Sequence, residues 1–283
     1  DPYHCHCQKT ARLLAEAMDR VDLLEGLIAV AIDEVKSKKG QRYLTVVSDP
    51  FTGKVVWVTE GRSKATVGAF FDALGLERAA RLEIVTTDGA DWIRAVVARR
   101  APNAEICLDT FHAIAWATKA LDEVRRDLWR RLKGKAAAKA IKGLRWPLLR
   151  NWANLTIAQR DTIRELETTN RRLFRAWLLK EELADIFRMP IRQARRALDD
   201  WIYYASRSRL EPFVRLARTI RHYRDSIEAT IEWGFTNGIA ESNNSVIGRI
   251  RRNANGFHNP AAFITMIMLD RGGLTPDLPW THP

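Results

Sequence analysis

Cysteine is scarce, with three residues in 283, at positions 5, 7 and 107. So small and odd a number in a long chain does not build a disulfide framework, and a reducing cytoplasm is the expected setting. Long apolar runs are lacking too. The longest uninterrupted one, Leu27 to Ile32, has six residues. A membrane-spanning helix needs roughly 18–20, so no membrane partner is expected. No secretory signal opens the sequence, and no internal repeat divides it. The one low-complexity patch is a short Ala/Lys stretch at 135–140. Acidic residues are in deficit: 34 Asp and Glu face 46 Lys and Arg, a formal charge of +12. That excess favours an anionic partner such as nucleic acid.

What is present is ordinary globular composition, 46% hydrophobic and 28% charged, which excludes a disordered tail. The length suits one large domain, or a modest domain carrying an inserted one. Residues 1–26 read as a helical lead-in. Strands are expected at Leu27–Ile32, Tyr43–Val47, Lys54–Val58, Leu82–Thr86 and Glu105–Leu108. Helical spacing covers Lys64–Leu74, which Gly75 stops, and about Asp91–Arg100, which Pro102 closes. Three strands followed by helix, strand, helix, strand predict an α/β fold, a mixed sheet with helices on its faces.

Beyond His112 the pattern turns helical: Trp116–Leu132, Ile157–Thr169, Leu173–Phe187, Ile191–Ser206 and Pro212–Ile231. Two more helices are expected over about Gly238–Asn253 and Pro260–Leu269. The expected organisation is a core over 27–112, an all-helical insertion over 113–235, core-completing helices over 236–272 and a tail at 273–283.

Three of the expected strands end in an aspartate, Asp33, Asp88 or Asp109. Open α/β sheets place their sites at the carboxyl ends of strands. If the first and fourth strands are neighbours, Asp33 and Asp88 converge on one hard cation, which wants oxygen ligands. Two-metal phosphodiester chemistry needs a third acid. Glu241 is the best candidate, opening a helix that carries Arg249, Arg251 and Arg252 further along. Each acid taken alone also fits a cap or turn role.

Three ordered stretches then carry a resemblance. They are Ile32-Asp33-Glu34 with Lys38-Lys39-Gly40 and Tyr43; Pro102-Asn103-Ala104 leading to Asp109-Thr110-Phe111-His112; and Thr236-Asn237-Gly238 through Glu241, Asn243 and Asn244 to Asn255-Gly256-Phe257. The chain resembles bacterial insertion-sequence transposases of the ISL-three family, from about residue 20 to 272. The resemblance implies an RNase H-like fold and a DDE triad on Asp33, Asp88 and Glu241. It also implies Mg2+ as cofactor, with Mn2+ as substitute. Asp109 and His112 resemble a D-x-x-H signature of related transposases, an accessory pair. Asp109 is also the rival for the second acid.

Family members usually carry an N-terminal zinc-binding segment and a helix-turn-helix, and neither is visible in this sequence. The chain is therefore expected to be a catalytic-core fragment or a shortened copy. His4-Cys5-His6-Cys7 is a poor zinc site, because alternate residues diverge in an extended chain and no second pair follows.

From Lys119 to Arg150 eleven Lys or Arg face three acids. Arg125, Arg126, Arg130, Arg131, Lys133 and Arg145 are the expected phosphate contacts there, joined by Asn244, Arg249, Arg251 and Arg252. Most tryptophans of the helical region are expected in its core, with Trp146 the one to meet DNA. The expected activity is metal-dependent cleavage at insertion-sequence ends and 3′-hydroxyl strand transfer into target DNA. Double-stranded DNA is the partner, in a synaptic homodimer or higher assembly. Two alternatives remain open: a nuclease on the same fold that cuts without joining, and a non-catalytic DNA-binding remnant.

Overall fold

The computed structural model describes residues 12, 16–17, 20–38, 42–134, 136–234, 238–254, 256–257 and 259–274. The side chains at 38, 42, 136 and 238–241 are outside the description. The His4–Cys7 cluster, most of the lead-in helix and nearly all of the 273–283 tail also lie outside the described residues. The chain divides into two units, 1–107 with 236–283, and 108–235.

The first unit is built on a five-stranded sheet in the order β3-β2-β1-β4-β5. Its strands are β1 (Ala29–Lys38), β2 (Arg42–Ser48), β3 (Val55–Glu60), β4 (Ile84–Thr87) and β5 (Glu105–Leu108). β1 pairs antiparallel with β2, β2 antiparallel with β3, and β1 parallel with β4. The crossover from β3 to β4 carries α1 (Lys64–Leu74) and the short α2 (Leu76–Arg81), and α3 (Asp91–Arg100) links β4 to β5. Ser63 caps α1 by accepting from Thr66 N, and Gly75 ends it with φ 84°, a left-handed value that favours glycine.

Strand alternation sorts the two faces. Val30, Ile32, Val47 and Val56 pack with Val67, Phe70 and Phe71 of α1 and with Ile93, Val96 and Val97 of α3. On the other face Leu44, Val46 and Val55 pack with Ile247 of α12 (Gly238–Asn253) and with Phe263, Ile267 and Met268 of α13 (Pro260–Arg271).

The sequence reading ends the first strand at Ile32, with Asp33 just beyond it. Here the structure differs: β1 runs on to Lys38, and Asp33 lies inside it, opposite Val46. Hydrophobicity falls away after Ile32, but backbone pairing with β2 does not depend on side-chain polarity and keeps the polar Asp33–Lys38 stretch extended.

The second unit is helical. It comprises α4 (Thr110–Arg131), α5 (Ala136–Gly143), α6 (Arg145–Leu149), a 3-10 turn at Trp152–Asn154, and α7 (Ile157–Thr169). These are followed by α8 (Arg171–Ile186), α9 (Ile191–Arg207), α10 (Glu211–His222) and α11 (Arg224–Trp233). Its core gathers Leu121 and Val124 of α4, Leu173, Trp177 and Leu183 of α8, Leu198 and Trp201 of α9, and Phe213 and Ile220 of α10. Trp201 is 2% exposed and its indole N–H donates to Leu179 O at 2.8 Å. Trp116 and Trp129 pack against the same core.

Two local differences from the sequence reading have visible causes. The single helix expected over 212–231 is two helices, divided at Tyr223, whose ring packs on Trp116 with centroids 5.4 Å apart. α5 and α6 lie in a stretch whose charge hides a short apolar register, Ala138, Ile141, Leu144 and Leu148, all buried. No helix among the described residues is long and apolar enough to cross a membrane.

Candidate active site

The parallel ladder between β1 and β4 runs Ala29↔Ile84 through Ile32↔Thr87. Asp33, inside β1, and Asp88, the residue just after β4, directly follow the last pair, so the register sets the two acids level at the end of the ladder. Each is held by its own backbone. Asp33 Oδ1 accepts from Glu34 N at 2.6 Å. Asp88 Oδ1 accepts from Ala90 N at 2.9 Å, while Gly89 N donates to Thr87 Oγ1 at 3.1 Å. The Asx-type bond at Asp88 fixes the turn after β4, and both bonds restrict the rotamers of their aspartates.

Helix α12 closes on β1 from the face that carries Asp33. Asn244 Nδ2 donates to Asp33 Oδ2 at 2.5 Å, and Arg251 Nη1 donates to Lys36 O at 2.6 Å. The spacings agree: seven helical residues rise about 10.5 Å and three strand residues about 10 Å. Asn243, 3% exposed, donates to Gly53 O at 3.0 Å and ties the same helix to the β2–β3 turn. Glu241 lies in α12 three residues before Asn244. Its side chain is outside the described residues.

The sequence reading assigned no role to Glu34. Its side chain is 7% exposed, with Oε2 2.5 Å from Arg62 Nε and Oε1 buried without a hydrogen-bond partner among the described residues. Burial pushes the Glu34 carboxyl above the usual range, Arg62 opposing it and Asp88 and Asp33 adding to it. Its place in the Ile32-Asp33-Glu34 stretch, beside Asp33, was the sequence signal for Glu34. Arg62 had none, because it comes from the turn after β3.

Two hard carboxylates side by side are a donor set that fits a divalent cation such as Mg2+. Among the described residues no group of three His, Cys, Asp or Glu gathers at one point.

Asp109 and His112 form a pair of their own in the second unit. Asp109 is 8% exposed. Its Oδ1 accepts from Phe111 N at 2.7 Å, capping α4, and its Oδ2 lies 2.7 Å from His112 Nδ1. Both oxygens thus work within the first turn of that helix.

The basic residues divide sharply. Arg125 is buried, 6% exposed, with Nε and Nη2 both on Asp122 Oδ1 at 2.8 and 2.7 Å. This corrects its assignment to a DNA-facing surface: the guanidinium is spent inside the unit. Arg126 pairs with Asp122 at 3.1 Å and Arg131 with Asp127 at 2.9 Å, both remaining exposed. Arg130 is exposed and bonds Arg126 O at 3.3 Å. Lys133, Arg249 and Arg252 are exposed. Arg145 stacks 5.0 Å from the Trp146 ring centroid, and Trp146 is 63% exposed.

Residues 30–267 match a family model described as a transposase. The transposase for insertion sequence element IS1557 of Mycobacterium tuberculosis, in strains CDC 1551 / Oshkosh and H37Rv alike, is 40% identical over 294 aligned positions. That alignment covers 96% of this chain and 66% of the relative. The transposase for insertion sequence element IS1001 of Bordetella parapertussis is 33% identical over 241 positions, 84% of this chain and 59% of the relative. The chain thus spans just under two thirds of the length of these relatives. With the family match covering most of its length, the chain belongs to the ISL-three family of insertion-sequence transposases.

Proposed function

We propose that this chain is the catalytic core of a DNA transposase with an RNase H-like fold, cutting at insertion-sequence ends and joining the freed 3′-hydroxyl to target DNA. One observation carries the reading: Asp33 and Asp88 directly follow the last pair of the β1–β4 ladder, and Asn244 of α12 bonds Asp33. Asp33, Asp88 and Glu241 are the proposed carboxylate triad, and they would hold Mg2+, or Mn2+ in its place. The divalent ions, when bound, supply acidity to the attacking hydroxyl and charge compensation at the leaving oxygen.

The protein's own part is positioning. Asp33 is held from two directions, by Glu34 N and by Asn244, so its carboxylate meets the substrate in one orientation. Asp88 is fixed by the Ala90 amide. Arg249 and Arg252, exposed further along α12, would follow the phosphate backbone, joined by Arg126, Arg130, Arg131, Lys133 and Arg145 of the helical unit. That unit, over 113–235, is the proposed insertion domain, and a homodimer or larger assembly would pair two element ends. Asp109 and His112 are proposed as accessory residues that order the start of α4. No Ser, Tyr or Cys nucleophile is required.

The test is Mg2+- or Mn2+-dependent processing of a duplex carrying the element's terminal repeat, with binding followed in parallel. Asp33→Asn, Asp88→Asn and Glu241→Gln are expected to abolish cleavage and joining while binding persists. Cleavage that survives all three substitutions overturns the triad. Cleavage without joining of precut ends makes the chain a nuclease instead.

A further inference from the structure

We infer that Arg62 is a phosphate-binding residue of the acidic site, that its ligand is a DNA backbone phosphate beside the carboxylates, and that Glu34 positions it. The inference rests on the catalytic reading above.

The turn that presents Arg62 is built for one geometry. Gly61 N donates to Tyr43 O at 2.9 Å and Gly61 O accepts from Thr45 Oγ1 at 2.9 Å. Gly61 has φ +122°, and a Cβ there would meet Thr66 Oγ1 at 2.7 Å, so only glycine fits without displacement. Ser63 then caps α1. Between these fixed points the Arg62 guanidinium lies 5.1 Å from the Tyr43 ring centroid and bonds Glu34 through Nε.

That bond uses the inner edge of the fork. A guanidinium carries five N–H donors, and an outer pair suits bidentate capture of a phosphate. Arg62 remains 43% exposed while Glu34 is 7% exposed. Asp88 is close enough for its charge to act on both Glu34 and Arg62. A positive group on the face of β1 that carries Glu34, within electrostatic reach of Asp88, answers part of the repulsion that these acids would exert on a polyanion. A salt bridge serving stability alone explains this poorly. A half-exposed arginine returns little, and burying a carboxylate with one oxygen unpartnered is costly. Preorganising the guanidinium for a phosphate gives the Glu34–Arg62 pair a purpose that stability alone does not.

The experiment measures duplex binding across salt concentrations, cleavage rate and thermal unfolding for wild type, Arg62→Ala, Arg62→Lys, Glu34→Gln and the Glu34→Gln/Arg62→Ala double variant. Losing one phosphate contact flattens the slope of log K against log salt by about 0.9. Arg62→Ala is expected to lose about that much slope and at least tenfold in cleavage rate. Arg62→Lys should keep the slope and lose cleavage, because a point charge cannot grip bidentately. Glu34→Gln should slow cleavage in the wild-type background and have no further effect once Arg62 is gone.

A wild-type slope in Arg62→Ala overturns the proposal. So do Glu34 and Arg62 effects that multiply, since independent action would mean that Glu34 does not work through Arg62. If Arg62→Ala melts well below wild type, Arg62→Lys and Arg62→Gln supply the same comparison. Full cleavage by Asp33→Asn and Asp88→Asn removes the catalytic reading, whereas the salt slope still reads Arg62 by itself. Failure of the wild type to bind duplex DNA overturns both.

Discussion

Asn244 Nδ2 lies 2.5 Å from Asp33 Oδ2, although 211 residues separate them in the chain. The bond joins α12 to the central strand of the sheet, where the first carboxylate stands. It also makes α12 part of the site whatever the side chain of Glu241 does, because Asn244 occupies the next turn.

Removing that donor has a defined expected result. Asn244→Ala leaves a charged oxygen one partner short, a loss on the order of 1.5–3 kcal/mol for a bond to an ionised group. Asn244→Asp sets a second carboxylate against Asp33 and is expected to cost more. Urea unfolding reads the stability change. The cleavage assay should show a larger loss than DNA affinity, since Asn244 bonds the Asp33 carboxylate. Equal losses in both would assign Asn244 to DNA binding.

Lys180 is the most buried cation described, 1% exposed. Its Nζ donates to Leu148 O at 3.2 Å and to Arg150 O at 2.8 Å, and it also pairs with Glu181. Burial lowers its pKa, with Glu181 opposing. It therefore staples the end of α6 to α8. Lys180→Met removes the charge but strands two carbonyls and Glu181, and chemical unfolding is expected to show a loss of about 2–4 kcal/mol. A neutral result would mean that water takes over both carbonyls.

The basic helix should separate by burial rather than by charge. Arg125→Met is expected to lower the melting temperature and leave the salt dependence of DNA binding unchanged, because its guanidinium is held by Asp122. Lys133→Ala and Arg145→Ala are expected to do the reverse, each flattening the log–log salt slope by about 0.9. Binding titrations at several salt concentrations decide between them. A flattened slope for Arg125→Met would return that residue to the DNA surface.

Asp199 and Arg224 offer a pH signature. Arg224 donates to both oxygens of Asp199 and through Nε to Glu228 Oε1 at 2.7 Å, linking α9 to α11. The hydrogen bond from Arg224 holds the Asp199 carboxyl below the usual carboxylate range. A depressed folded-state pKa means the stabilisation is present above the ordinary aspartate value and is lost as pH falls through the folded one. Asp199 is 58% exposed, so solvent screening limits the term to about 1 kcal/mol or less. Asp199→Asn should therefore unfold earlier than wild type at neutral pH, and the gap should close below the carboxylate range. A gap that persists in acid would point to packing instead.

Much of the element order was legible because its causes are local. Gly75, the Ser63 cap and the β-branched runs act over a few residues, and the expected helix Lys64–Leu74 and strand Glu105–Leu108 match those in the structure. The end of β1 was not legible. Polarity rises after Ile32, while the hydrogen bonds that extend the strand come from β2. Arg125 reads as one more exposed charge in a basic run; its burial depends on helices that pack against α4 from elsewhere in the chain.

The sequence by itself determined family membership, the alternation of strands and helices, and three ordered acids in a strongly basic chain. These are properties of residue identity and short-range spacing. Tertiary structure alone decided that Asp33 and Asp88 stand level, that Asn244 grips the first of them, and that Glu34 reaches Arg62 across the β3–α1 turn. Sheet register and helix docking set those distances. They arise from burial and backbone pairing between segments tens to hundreds of residues apart, which no local pattern encodes.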